Sequence, residues 1–276
     1  MKKIIVLCVL LAVSVVVVFY SLSAKKSQIS PQKSVNENEI TTVLDKSSPT
    51  PNTTIDAGSA GNNETKILEG SGNYKASWVI VRDTDKIELY SNLSEKLTSA
   101  DALAKHSCLH LFSGSFYSEE GKHIGLFVSK GDETSEPISH STFNGYFSIS
   151  WSGSPLISTT SPNQAKIAIQ AGPLLFKDGK RVNLNLVRDE NARRIIVATT
   201  KSANHVVFIT LYDKANTLLG PKLQELGGIL TDLGQDIPLD FKDVLNMDGG
   251  SHSTFISNII KLTEISPIGS YFCIKS

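Results

Sequence analysis

One carboxylate in this chain stands where chemistry is easiest to arrange. The run Val244-Leu245-Asn246-Met247-Asp248-Gly249-Gly250-Ser251-His252-Ser253-Thr254-Phe255 delivers Asp248 from an apolar strand directly into two glycines and then into hydroxyl side chains. Paired glycines permit turn conformations closed to other residues and let backbone N–H groups come close to a ligand. A carboxylate at a strand end can then move a proton or hold a polar group. The same run also reads as an ordinary Asp-Gly turn with local Ser/Thr hydrogen bonds.

A second segment follows the same logic. In Ala168-Ile169-Gln170-Ala171-Gly172-Pro173-Leu174-Leu175-Phe176 a strand ends on a polar side chain and a Gly-Pro step. Gln170 there offers both a donor and an acceptor. Two further turns surround hydroxyl and amide groups: Leu111-Phe112-Ser113-Gly114-Ser115-Phe116-Tyr117, with Gly121-Lys122-His123-Ile124-Gly125-Leu126 beyond it, and Thr142-Phe143-Asn144-Gly145-Tyr146-Phe147-Ser148.

Taken in order, Ser-Gly-Ser-Phe-Tyr, Gly-Lys-His-Ile-Gly-Leu, Phe-Asn-Gly-Tyr-Phe, Ile-Gln-Ala-Gly-Pro-Leu-Leu and Asn-Met-Asp-Gly-Gly resemble the phosphodiester glycosidase family, over roughly residues 107–272. The resemblance implies an enzyme that hydrolyses a sugar joined through its anomeric carbon to a phosphodiester, giving free sugar and a phosphomonoester. Asp248 is then the acid/base or nucleophile, a role glycosyl transfer commonly gives to carboxylates. Arg194, in Arg193-Arg194-Ile195-Ile196-Val197, matches an Arg that the family carries at a strand start, with Arg193 as an adjacent competitor. Its fork suits the phosphate oxygens. Backbone N–H groups at Gly249 and Gly250 would serve the same anion. Asn144, Gln170, Ser113, Ser251 and Ser253 would hold hydroxyls, and His252 would serve as a proton donor near neutral pH. Two positions depart from the family pattern: Ser113 replaces its Asn, and His252 falls on its first Ser unless Ser251 takes that place. These departures motivate an alternative, a catalytically weakened domain of the same fold that binds glycans or envelope polymers.

No metal and no cofactor is expected. His106 and His110 flank Cys108 without a carboxylate at ligand spacing. Asp232, Asp236, Asp240 and Asp243 are spread along a loop, and neither a Gly-x-Ser-x-Gly elbow nor a Walker loop occurs.

These turns need strands to carry them. Apolar or alternating runs at 78–81, 87–90, 124–128, 146–151, 165–170, 195–199 and 206–211 read as strands. The first two, across Asp83-Thr84-Asp85, read as a hairpin; Leu174-Leu175-Phe176 and Arg181-Val182 read as another, across Asp178-Gly179. Helices are expected over 99–106 and 216–233, the second from Leu218, Leu219, Leu223, Leu226, Ile229, Leu230 and Leu233. The fold class is α+β, a strand-rich mixed sheet core with a few flanking helices.

This core is expected to fill residues 67–276, a normal single-domain size. Residues 24–66 are rich in Ser, Thr, Asn, Pro, Glu and Lys and read as a disordered linker. Residues 1–23 begin Met1-Lys2-Lys3 and continue with an uncharged apolar run from Ile4 to Tyr20, a membrane anchor or a cleaved signal peptide. Either places the domain outside the cytoplasm, membrane-anchored or secreted. There, Cys108 and Cys273 form a disulfide or stand as two buried thiols. Asn52-Thr53-Thr54, Asn63-Glu64-Thr65 and Asn92-Leu93-Ser94 match the glycosylation pattern, as chance also produces in such sequence. With 27 basic and 27 acidic residues the net charge is zero, and no basic stripe favours nucleic acid.

Overall fold

The computed structural model describes residues 64–69, 74–201, 204–236 and 240–276. The expected membrane segment, and the linker up to residue 63, lie outside the described residues. Among the described residues no helix is long and apolar enough to cross a membrane.

In chain order the strands are β1 (Glu64–Glu69), β2 (Tyr74–Val81), β3 (Ile87–Ser91), β4 (His110–Ser113), β5 (Phe127–Ser129), β6 (Asp132–Ser135), β7 (Gly145–Ser150), β8 (Pro155–Ser158), β9 (Ala165–Ala171) and β10 (Leu174–Lys177). There follow β11 (Lys180–Arg181), β12 (Arg194–Thr200), β13 (Val206–Asp213), β14 (Phe241–Asn246), β15 (Phe255–Ile256), β16 (Lys261–Leu262) and β17 (Ser270–Ile274). Among the described residues two α-helices accompany them, α1 (Ser99–Lys105) and α2 (Leu223–Asp236). The strands form a seven-stranded sheet ordered β1-β2-β13-β12-β14-β10-β11 and two five-stranded sheets, β16-β15-β4-β17-β3 and β6-β5-β9-β7-β8. The expectation of a strand-rich fold with few helices holds. Its mixed sheet does not, because every ladder described is antiparallel.

Three sheets converge on one core. Val197, Phe208 and Leu245 of the large sheet meet Leu89, Phe112 and Phe272 of the second and Phe147, Ile149 and Ile169 of the third. Phe112 stacks on Phe208 at 4.6 Å and packs against Phe255 at 4.5 Å. The opposite face of the large sheet, with Trp78, Ile196, Ala198, Val207 and Ile209, is covered by Leu226, Leu230 and Leu233 of α2. Burial on both faces explains why β12 and β13 read as unbroken apolar runs. Each fully buried large side chain in such a layer contributes about 1.5–3 kcal/mol.

Two expected elements differ. Strands β2 and β3 do not pair; β2 joins β1 and β13, while β3 joins β17. A 3-10 turn at Thr84–Lys86, capped by Asp83 on the Asp85 N–H at 3.1 Å, swings the chain into another sheet. Strand β2 is paired along both edges, by β1 and β13, and has no edge left for β3. The second helix starts at Leu223, seven residues later than the expected start at residue 216. Pro221 disfavours helix in the residue before it, and Asp213 folds the preceding stretch into a turn by accepting from the Ala215 and Asn216 N–H groups at 2.8 and 2.9 Å. The β10–β11 hairpin is present, with Asp178 and Gly179 at φ of 50° and 73°, as its tight turn requires.

Cys108 and Cys273 are joined in a disulfide across 165 residues. Asn92, in the third glycosylation pattern, is 1% exposed and its amide donates to the Leu97 and Ile268 carbonyls at 2.9 and 3.0 Å. A sugar has no access to it in the folded state.

Candidate functional site

Strand β14 brings Asp248 to the sheet end, and its neighbours hold it there. The Met247 N–H donates to the Ile195 carbonyl at 2.8 Å and the Asp248 N–H to the Gly114 carbonyl at 3.1 Å. Ser113, 1% exposed, donates from Oγ to the Asp248 carbonyl at 3.2 Å and accepts from the Thr254 N–H at 3.3 Å. So the Ser113 hydroxyl ties β4 to the backbone of the Asp248 turn.

The two glycines do different work. A Cβ at Gly249 would lie 2.5 Å from the Arg193 carbonyl oxygen, so that position tolerates no side chain. Gly250, at φ +64°, turns its N–H onto the same oxygen at 2.8 Å. Arg193 clamps the far side of the turn. It is fully buried, and its Nε donates to Ser253 Oγ at 2.9 Å while Nη2 donates to the Ser253 carbonyl and, at 2.8 Å, to that of Thr263. Burial lowers its pKa to about 10, with Glu264 opposing. Ser253 Oγ passes the network on to the Gly250 carbonyl at 2.7 Å.

Arg194, one residue on, points to the other side. It lines a cavity of about 290 Å³ together with Asp248, Gly249, Gly250, Asn246 and Phe143. Its Nε donates to the Pro221 carbonyl at 2.9 Å, its Nη2 to the Glu190 carbonyl, and Asp189 lies 3.6 Å from it. Asp189 also caps α2 by accepting from the Leu223 and Gln224 N–H groups at 2.8 and 2.9 Å. The helix N-terminus and the guanidinium are thereby set by one carboxylate.

Asp248 is 8% exposed. Burial pushes its pKa well above the ordinary carboxylate value, and the Gly249 N–H opposes this. Burial also raises the Tyr117 hydroxyl, with a further contribution from the Asp248 charge. A neutral carboxyl at a cleft that an arginine also lines is equipped to give up a proton to a bound anion.

Asn144 and Gln170 line an adjacent cavity of about 540 Å³ with His140, Tyr146 and Thr159, and Phe143 borders both cavities. Phe116 and His140 each pack against Phe143 at 4.9 Å, an aromatic file between the two. Gln170 is 1% exposed and fully engaged. Its Oε1 accepts from the Leu126 and Ile138 N–H groups at 3.2 and 2.9 Å, and its Nε2 donates to the Ile138 and Phe143 carbonyls, both at 2.7 Å. Asn144 Oδ1 accepts from the Leu174 N–H at 2.8 Å. Ser251 and His252 lie on a 3-10 turn and border neither cavity; His252 Nδ1 is 3.2 Å from Ser251 Oγ and meets the edge of Tyr117 at 5.8 Å.

The structure thus gathers Asp248, Arg194, Gly249 and Gly250 at one cleft and sets Asn144 and Gln170 next to it. Ser113 and Ser253 support the turn from behind. Sequence reasoning passed over Asn246, Asp189, Phe116 and Phe143. Asn246 alone had a signal, its place two residues before Asp248 on the same strand face. Among the described residues no group of His, Cys, Asp and Glu is placed to hold a metal ion.

A family model described as phosphodiester glycosidase matches residues 109–273. The chain belongs to that family. Among solved structures, the catalytic domain of zebrafish N-acetylglucosamine-1-phosphodiester alpha-N-acetylglucosaminidase, auto-inhibited by its pro-peptide, is similar with a TM-score of 0.55 and 16% identity, over 78% of this chain and 83% of that one. A hypothetical protein from Synechocystis is similar with a TM-score of 0.54 and 13% identity, over 76% of this chain and 61% of that one. Both likenesses concern the fold. No curated protein matches this chain significantly.

Proposed function

We propose that this phosphodiester glycosidase family member is an extracytoplasmic hydrolase of sugar 1-phosphodiesters. One observation carries the reading: Asp248, held toward its neutral form by burial, shares a cleft with the Arg194 guanidinium. The name of the zebrafish enzyme points to the same substrate class.

In this reading a water oxygen bonds to the anomeric carbon as the bond from that carbon to the phosphate oxygen breaks. Asp248 gives its proton to the departing oxygen, and the proton lost by the water restores it. Arg194 faces the phosphate, which competes with Asp189 and the Glu190 and Pro221 carbonyls for its donors. The Gly249 N–H serves the Asp248 carboxyl, and the Gly250 N–H, bonded to the Arg193 carbonyl, does not reach the anion. The larger cavity takes the group beyond the phosphate, between Phe143, Asn144 and His140. Gln170, Ser113 and Ser253 shape this site through the backbone they hold, and His252 and Ser251 stand at its margin.

The location outside the cytoplasm is supported by the Cys108–Cys273 disulfide, which persists in oxidising compartments, and by the apolar N-terminal run, as an anchor or a cleaved signal. A second reading, a domain that binds glycans or envelope polymers without turnover, is favoured by the engagement of Arg194 with backbone carbonyls. Incubating the purified protein with sugar 1-phosphodiesters separates the two. Release of free sugar supports the hydrolase; saturable binding without release supports the binder.

A further inference from the structure

The cleft contains an acceptor that has no donor. Asn246 is 3% exposed, and its Nδ2 donates to the Gly172 carbonyl at 2.9 Å, which fixes which way the amide faces. Its Oδ1 is buried with no hydrogen-bond partner. Leaving such an acceptor unpaired costs about 1–3 kcal/mol. Asn246 and Asp248 are two residues apart along an extended chain, so both leave the same face, while Met247 between them points into the core. Both line the same cavity.

We propose that Asn246 is a positioning residue for Asp248: its Oδ1 accepts the proton that the Asp248 carboxyl carries. The proposal deepens the hydrolase reading, since it rests on Asp248 as the proton donor. Two acceptors side by side in a buried cleft repel until one is protonated, and of the two only the carboxyl can be. The bond satisfies the orphaned oxygen and holds the acid in one rotamer. The other charged groups at the cleft are Arg194 on β12 and Arg188, Asp189 and Glu190 on the preceding loop, with the Tyr117 hydroxyl approaching from the β4–β5 loop. Arg194 pairs with Asp189 at 3.6 Å, and none of these groups donates to the Asn246 oxygen.

The test reads the proton itself. Carbon-13 and nitrogen-15 NMR of the side chains follows the Asp248 carboxyl and the Asn246 amide through a pH titration of the whole protein. In the wild type the two sets of signals move together with one midpoint. In Asn246→Ala, and in Asn246→Leu, which fills the volume, the Asp248 midpoint falls by about one unit or more, because the neutral acid loses its acceptor. Asn246 signals that stay flat through the Asp248 transition overturn the proposal, and this needs no variant that folds. An unchanged Asp248 midpoint in a folded variant also overturns it. Failure of the hydrolase reading is seen separately, as absent turnover of a sugar 1-phosphodiester while the coupled titration persists.

Discussion

Arg193 donates twice to Ser253, from Nε to the hydroxyl at 2.9 Å and from Nη2 to the carbonyl oxygen. Its own carbonyl meanwhile accepts from the Gly250 N–H at 2.8 Å. The turn after Asp248 is closed by a residue whose chain neighbour, Arg194, faces the cleft. Adjacent arginines at a strand start thus serve opposite faces, Arg193 bonded to the turn after Asp248 and Arg194 lining the cavity while bonded to the Pro221 and Glu190 carbonyls.

Removing this buried guanidinium leaves the Ser253 and Thr263 carbonyls without their donor. Arg193→Met should destabilise the protein by about 3 kcal/mol and lower turnover by loosening the Asp248 turn. Arg193→Lys should rescue little, because an ammonium cannot reproduce the fork. Urea unfolding of both variants checks this; wild-type stability in either contradicts it.

The disulfide closes a long loop between the β4 approach and β17. Reduction, or Cys108→Ala with Cys273→Ala, should cost about 2–5 kcal/mol, mainly by freeing the unfolded chain. The midpoint of urea unfolding with and without reductant measures it.

Two histidines make the fold sensitive to acid. Burial lowers both His110 and His123 from 6.5 to about 4. Their folded pKa lies below the unfolded one, so the unfolded chain takes up the proton first. Stability is therefore complete above about pH 6.5 and is lost as pH falls toward 4, by about 1.4 kcal/mol per unit for a fully buried ring. The half-buried His123 contributes less. His110 has neither ring nitrogen bonded and stacks on Phe112 at 6.3 Å. His110→Phe should flatten the pH slope of the unfolding midpoint without lowering stability near pH 7.

Much of this was legible in residue order. Asp248 before two glycines marks a turn that needs both close approach and positive φ, and each glycine meets one of those demands. The Asp178-Gly179 hairpin was equally plain. What local patterns cannot carry is who satisfies whom. Gln170 has the donor and acceptor to hold a sugar, but both are engaged by the backbone of the 126 and 138–143 segments. Asn246 looks like a strand end until burial shows its oxygen unpaired. The expected hairpin of 78–81 with 87–90 failed because strand pairing is decided by the whole sheet, and a short polar connection allows either outcome. Likewise the helix pattern began at Leu218, where Pro221 and the Asp213 turn prevail.

The most direct test of the central claim is kcat/KM against pH for a sugar 1-phosphodiester in the wild type and in Asp248→Asn. If Asp248 is the proton donor, the wild-type rate declines as pH rises through its elevated pKa, and the folded Asn variant loses activity by about a thousandfold or more. A folded Asp248→Asn protein that retains the wild-type rate would contradict the assignment.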